Sequence, residues 1–99
     1  MRDDGGTIGA VRMNGDNLEI EVSYAGGCED HVFDLSWSGT YLKSHPAQVV
    51  LDLRHNAHGD MCEAYITETV VIDVSELKQG DSGHLVLRVD DQASVHYKW

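Results

Sequence analysis

Between positions 18 and 24 the chain reads Leu18-Glu19-Ile20-Glu21-Val22-Ser23-Tyr24, and this stretch decides the fold class. Apolar and polar side chains alternate at every step, which is the pattern of a β-strand with one buried and one solvated face. The same alternation recurs over Phe33 to Trp37, Val49 to Leu53, Ile66 to Val74, Leu85 to Val89 and Val95 to Trp99. A weaker strand is expected over residues 7–13, where Gly9 interrupts the pattern. The sequence therefore predicts an all-β chain of about seven strands.

Turn-forming residues separate these strands, as at Gly26-Gly27 and over the stretch from Gly80 to Gly83. Short strands punctuated in this way are typical of a single antiparallel two-sheet sandwich, for which we expect an immunoglobulin-like Greek key. The inter-sheet disulfide of antibody domains is not expected, because both cysteines lie outside the predicted second and sixth strands. The 99 residues suit one domain, residues 1–99, and we expect residues 1–6 to be disordered.

The charge of the chain restricts its partners. It has 17 acidic and 7 basic residues, for a formal net charge of −10. Because such a surface repels phosphate groups and the sequence has no cluster of Lys or Arg, we expect no binding to nucleic acid or to an anionic membrane. No stretch approaches the ~18 apolar residues of a transmembrane helix, and the first six residues lack the apolar segment of a signal peptide. A protein or small ligand remains as the partner, and the oligomeric state is left open.

Two polar stretches carry both cysteines and three of the six histidines. The first reads Gly26-Gly27-Cys28-Glu29-Asp30-His31, and the second reads His55-Asn56-Ala57-His58-Gly59-Asp60-Met61-Cys62. In a Greek-key sandwich the loops after the second and fourth strands lie at the same end, so Cys28 and Cys62 should meet there. His31 and His55 share the parity of the buried positions in the adjoining strands, so both are expected to point inward at this end.

Three interpretations of this cluster remain open from the residues alone. A Cys28–Cys62 disulfide would stabilise the domain by about 4 kcal/mol in the chain-entropy model. Alternatively, Cys28, His31, either His55 or His58, and Cys62 have the composition of a closed structural zinc site. In the third interpretation the disulfide forms, and His31, His55 and His58 bind a metal without the sulfurs.

Catalysis is not expected. The sequence has no nucleophile elbow, phosphate-binding loop or dinucleotide fingerprint. Glu29 and Glu63 lie next to the cysteines, and their negative charge opposes the thiolate form that a catalytic cysteine needs. We therefore assign no catalytic residues, and we expect His45, His84 and His96 to be isolated and exposed.

Three short motifs resemble those of a known group of proteins. They are Tyr24-Ala25-Gly26-Gly27-Cys28-x-x-His31-x-Phe33-x-Leu35, His55-x4-Asp60-x-Cys62-Glu63-Ala64 and Val71-Ile72-Asp73-Val74-Ser75-x-Leu77. Over residues 18–77 the chain resembles exported bacterial lipoprotein-type β-sandwich domains of unassigned function. The resemblance implies a periplasmic, envelope or secreted location and a Cys28–Cys62 bond, and it implies no activity. The leading hypothesis is a non-catalytic exported module with a binding or structural role and no cofactor; the alternative is a zinc-binding module.

Overall fold

The computed structural model describes residues 2–37, 39, 41–44, 46–90 and 92–99, and the side chains of these residues except Arg2 and Asp3. His45 lies outside this set. Within the described residues the regular structure is β apart from one 3-10 turn at Ser75–Leu77, which confirms the all-β prediction. The strands are β1 (Arg2–Asp3), β2 (Thr7–Asn14), β3 (Asn17–Gly26), β4 (Val32–Trp37), β5 (Ala47–Asn56), β6 (Ala64–Asp73), β7 (His84–Val89) and β8 (Ala93–Lys98).

The strands form two sheets. One sheet has the order β2-β3-β6 and is antiparallel throughout, with β3 paired to β6 from Asn17↔Asp73 to Gly26↔Ala64. The other sheet contains β1, β4, β5, β7 and β8. Seven of the strands correspond to the predicted ones, and β1 adds a short strand within the segment for which we expect disorder.

The second sheet corrects the expectation of purely antiparallel pairing. Strand β5 pairs antiparallel with β4 but parallel with both β7 and β1. The parallel pair arises because the chain leaves β5, returns through β6 in the other sheet, and re-enters the sheet in β7 with its original direction. In an immunoglobulin-type sheet the third and sixth predicted strands are neighbours. Here β5 lies between β4 and β7, so the observed strand order differs from that expectation.

Both sheets contribute to one hydrophobic core. The alternation predicted from Leu18 to Tyr24 is confirmed, because the apolar side chains of β3 are buried and their polar neighbours are not. Among the described residues, the apolar side chains that are 0% exposed are Leu18, Ile20 and Val22 of β3, Val49 and Leu53 of β5, and Leu87 and Val89 of β7. Each such side chain contributes about 1.5–3 kcal/mol through its removal from water, so this shared core is the main source of stability.

The ends of the strands create two further regions. Strands β3 and β5 end, and β4 and β6 begin, where the two cysteine-containing loops meet; we call residues 26–32 and 56–64 the disulfide end. Strands β4 and β6 finish far from it, near the 3-10 turn. Within the described part of the chain, no helix combines the length and apolar character that crossing a membrane requires.

Candidate functional site

A disulfide joins Cys28 to Cys62 at the disulfide end, with the two Cα atoms 5.8 Å apart. Cys28 lies in the loop between β3 and β4, and Cys62 lies in the loop between β5 and β6. The predicted meeting of these two loops and the predicted bond are therefore both found. In this state neither sulfur is a thiolate, so the sulfurs serve neither as metal ligands nor as nucleophiles.

Asp60 holds the two cysteine-containing loops together through backbone hydrogen bonds. Its Oδ2 atom accepts hydrogen bonds from the backbone N–H groups of Gly27 at 3.0 Å, Cys28 at 3.2 Å and Glu29 at 3.2 Å. Its Oδ1 atom accepts one from the N–H of Cys62 at 2.9 Å. A single carboxylate thus contacts the backbone on both sides of the disulfide, and this role was not foreseen from the sequence.

Two histidines extend this network into the interior. His31 Nε2 lies 2.7 Å from Asp60 Oδ2, and His31 Nδ1 lies 2.6 Å from His55 Nε2. His55 Nδ1 donates in turn to the backbone carbonyl of Gly5, at 2.7 Å. His55 is 1% exposed, and the side chains of His31 and Asp60 are 2% and 0% exposed. The parity argument for inward-pointing His31 and His55 is therefore confirmed.

The acceptors at the two ends of this chain fix the direction of its outer hydrogen bonds. The Gly5 carbonyl can only accept, so His55 Nδ1 is the donor to it. The ionised carboxylate of Asp60 likewise only accepts, so His31 Nε2 is the donor to Oδ2. The contact between His31 Nδ1 and His55 Nε2 joins the two rings between these ends.

The pKa of Asp60 agrees with that assignment. The hydrogen bond from His31 lowers this pKa well below the ordinary value, and the backbone N–H groups of Cys62, Cys28 and Glu29 lower it further. Desolvation acts in the opposite direction but is outweighed. The carboxylate is thus held in its ionised form, buried against the ring of His31.

The close approach of His31 and Asp60 depends on the absence of a side chain at Gly26. A Cβ atom at this position would lie 2.6 Å from His31 Nε2 and 2.8 Å from Asp60 Oδ2. The Gly-Gly-Cys sequence and an aspartate two residues before the second cysteine are thus the sequence features that accompany this network.

His58, the remaining predicted ligand, does not join the pair. It is exposed, and its Nδ1 atom lies 2.5 Å from the carbonyl oxygen of Asp30. Among the described residues, the potential ligand atoms that do cluster are the two sulfurs and an oxygen of Asp60, within 4.8 Å of one another. The structure therefore brings together Cys28, Cys62, His31 and His55, places Asp60 among them, and leaves His58 at the surface.

A cavity of about 260 Å³ opens away from the disulfide end, between β4, the end of β6 and the 3-10 turn; we call it the β4–β6 cleft. Its apolar walls are formed by Leu35, Trp37, Leu51, Ile72 and Leu77. Its carboxylates are those of Asp34, Asp73 and Glu76. Tyr41 supports this region, since its ring packs edge-on against Trp37 and its hydroxyl donates to the carbonyl of Leu77 at 2.9 Å.

No protein-family model matches the chain, and no curated protein or solved structure matches it either. The disulfide end and the β4–β6 cleft are therefore the features of the molecule that bear on its function.

Proposed function

We propose that the chain is a non-catalytic, exported β-sandwich domain that is stabilised at one end by its disulfide and binds a small amphipathic cation in the β4–β6 cleft. The shared core supports face-to-face packing of the two sheets, because buried side chains from both belong to one cluster.

The disulfide supports the proposed export. Structural disulfides form and persist in oxidising compartments and are rare in a reducing cytosol. Here the bond joins positions 34 residues apart. The carboxylate of Asp60 accepts hydrogen bonds from the backbone N–H groups of both cysteines, so it holds the backbone at both ends of the bond.

The cleft is the observation that carries the binding role. It combines apolar walls with three carboxylates, and its described lining contains no Lys or Arg. A ligand with an apolar body and one ammonium group matches this arrangement, because the walls take up the apolar surface and the carboxylates balance the charge. Trp37 also lines the cleft, and an indole ring attracts a nearby cation.

Binding of a simple amphipathic cation tests this role. Phenethylammonium should bind about tenfold or more tightly than 2-phenylethanol, a neutral molecule of similar shape. Titration followed by the indole N–H signals in ¹⁵N-resolved NMR spectra should shift the signal of Trp37. The signal of Trp99, whose Nε1 donates to the Gly80 carbonyl, should stay in place.

Two substitutions separate the contribution of charge from that of shape. Asp73→Asn combined with Glu76→Gln should abolish the preference for the cation, whereas Glu63→Gln, an exposed change at the disulfide end, should leave it unaltered. Equal affinity for the cation and the alcohol in the unmodified protein would reject the proposed ligand class.

A zinc-binding module is the second candidate, and the clustering of both sulfurs with Asp60 favours it. The sequence predicts a ligand set of Cys28, Cys62, His31 and either His55 or His58. In the structure His31 and His55 use both ring nitrogens in hydrogen bonds. The ligands that cluster are therefore the two cysteine sulfurs, as thiolates after reduction, and the carboxylate of Asp60. Reduced protein purified without chelator should then hold about one equivalent of zinc, and the oxidised protein none. Less than about a tenth of an equivalent in the reduced protein would eliminate this candidate.

A further inference from the structure

His84 and His96 form a pair on adjacent strands, which corrects the expectation that they are isolated. Strands β7 and β8 are antiparallel, with His84 opposite Lys98 and Val86 opposite His96. The two histidines are therefore diagonal neighbours on the same face of the sheet. His84 is partly buried and His96 is exposed, so a solute can reach the pair.

The two rings approach each other through specific nitrogen atoms. His84 Nε2 lies 2.7 Å from His96 Nδ1, and the ring centroids are 4.9 Å apart with the planes inclined by 40°. Two nitrogens bound to one metal at about 2.0 Å lie about 2.8 Å apart when the N–metal–N angle is a right angle. They lie about 3.3 Å apart when that angle is tetrahedral, with the same bond length of about 2.0 Å. The observed separation is close to the right-angle value.

We propose that His84 and His96 form a surface site for a divalent transition metal that favours square-planar nitrogen coordination, with Cu²⁺ bound more tightly than Ni²⁺ and Ni²⁺ more tightly than Zn²⁺. The ion displaces the proton between the two rings and lies to one side of the line that joins the two nitrogens, and water completes its coordination. This order combines the right-angle geometry with the general rise in affinity towards copper.

The environment of the pair contributes two opposing effects. Desolvation, together with the charges of Lys98 and His96, lowers the pKa of His84, which favours the neutral ring that a metal requires. The charge of Lys98 also repels a cation locally, whereas the net charge of −10 attracts cations to the protein as a whole. The strand pairing fixes the backbone positions of both histidines, so binding requires rotation of the two rings and no change in the sheet.

The site is independent of the disulfide end and of the proposed function. Calorimetric titration of the full oxidised chain with Cu²⁺ should give one site of micromolar affinity, and either His84→Ala or His96→Ala should weaken it at least about tenfold. His58→Ala, which removes an exposed histidine at the disulfide end, should leave the affinity unchanged. His84→Ala and His96→Ala change side chains that solvent reaches, so far-ultraviolet circular dichroism should show that both variants keep the fold.

Two spectroscopic readouts locate the metal. The electron paramagnetic resonance spectrum should show coordination by two nitrogens that is lost in either variant, and Cu²⁺ should broaden the amide signals of Val86 and Tyr97 before those of residues 55–62. Undiminished affinity in His84→Ala and His96→Ala, or its loss in His58→Ala, would overturn the proposal. Tighter binding of Zn²⁺ than of Cu²⁺ by the unmodified protein would overturn it as well.

Discussion

Removal of the disulfide by Cys28→Ser together with Cys62→Ser should lower the free energy of unfolding by about 4 kcal/mol. The cross-link joins residues 34 positions apart, and it stabilises the native state mainly by restricting the unfolded chain. For a domain of this size, whose stability is about 5–15 kcal/mol, such a loss is a large fraction of the total. Urea denaturation of both proteins under oxidising conditions measures it.

A substitution in the same loop provides the control for this experiment. Met61 lies next to Cys62 and is 91% exposed, so Met61→Ala should change the free energy of unfolding by less than about 0.5 kcal/mol. The intact mass of the unmodified protein should rise by about 2 Da on reduction, the mass of the two hydrogen atoms gained. A loss below about 1 kcal/mol in the double variant would show that the bond does not hold the two loops together.

Replacement of Asp60 by alanine should lower the melting temperature by more than about 10 °C. The change leaves the N–H groups of Gly27, Cys28, Glu29 and Cys62 without their acceptor, and it removes the carboxylate oxygen that faces His31 Nε2. The His31 and Asp60 side chains are 2% and 0% exposed, and an unpaired polar group is most costly at such a buried position. Asp60→Asn should have a smaller effect, because the amide oxygen still accepts some of these hydrogen bonds.

The effect of Asp60 should depend on pH in a defined direction. Its pKa is lowered from the ordinary value of 3.8 in the folded protein, so its contribution is fully present above that value and is lost as the pH falls towards the lowered one. The difference in melting temperature between the unmodified protein and Asp60→Asn should therefore be smaller at pH 3 than at pH 5. Glu63→Ala, an exposed neighbour, should show no such pattern; a constant Asp60→Asn difference down to pH 3 would refute the role of the ionised carboxylate.

The sequence predicts which faces of the strands are buried but not how the strands are arranged. Alternation in β3 and β5 identifies Leu18, Ile20, Val49 and Leu53 as core residues, because burial follows the two-residue period of a strand. The same period is compatible with several neighbours for each strand. It therefore does not predict the parallel pairing of β5 with β7.

The candidate sites likewise contain some features that the sequence predicts and others that it does not. The meeting of Cys28 with Cys62 and the inward direction of His31 and His55 follow from loop positions and parity. The role of Asp60 does not, since it depends on a turn that aims backbone N–H groups from a distant loop at one oxygen atom. The His84–His96 pair depends on the register between β7 and β8, which no local pattern reveals.

The carbonyl of Gly5 has a practical consequence for work with this domain. It accepts the hydrogen bond from His55 Nδ1, at one end of the hydrogen-bond chain that runs through His31 to Asp60. Proteolytic removal of the first five residues would therefore leave the Nδ1–H group of His55 without its acceptor. Any shortened version of the domain should therefore begin before Gly5.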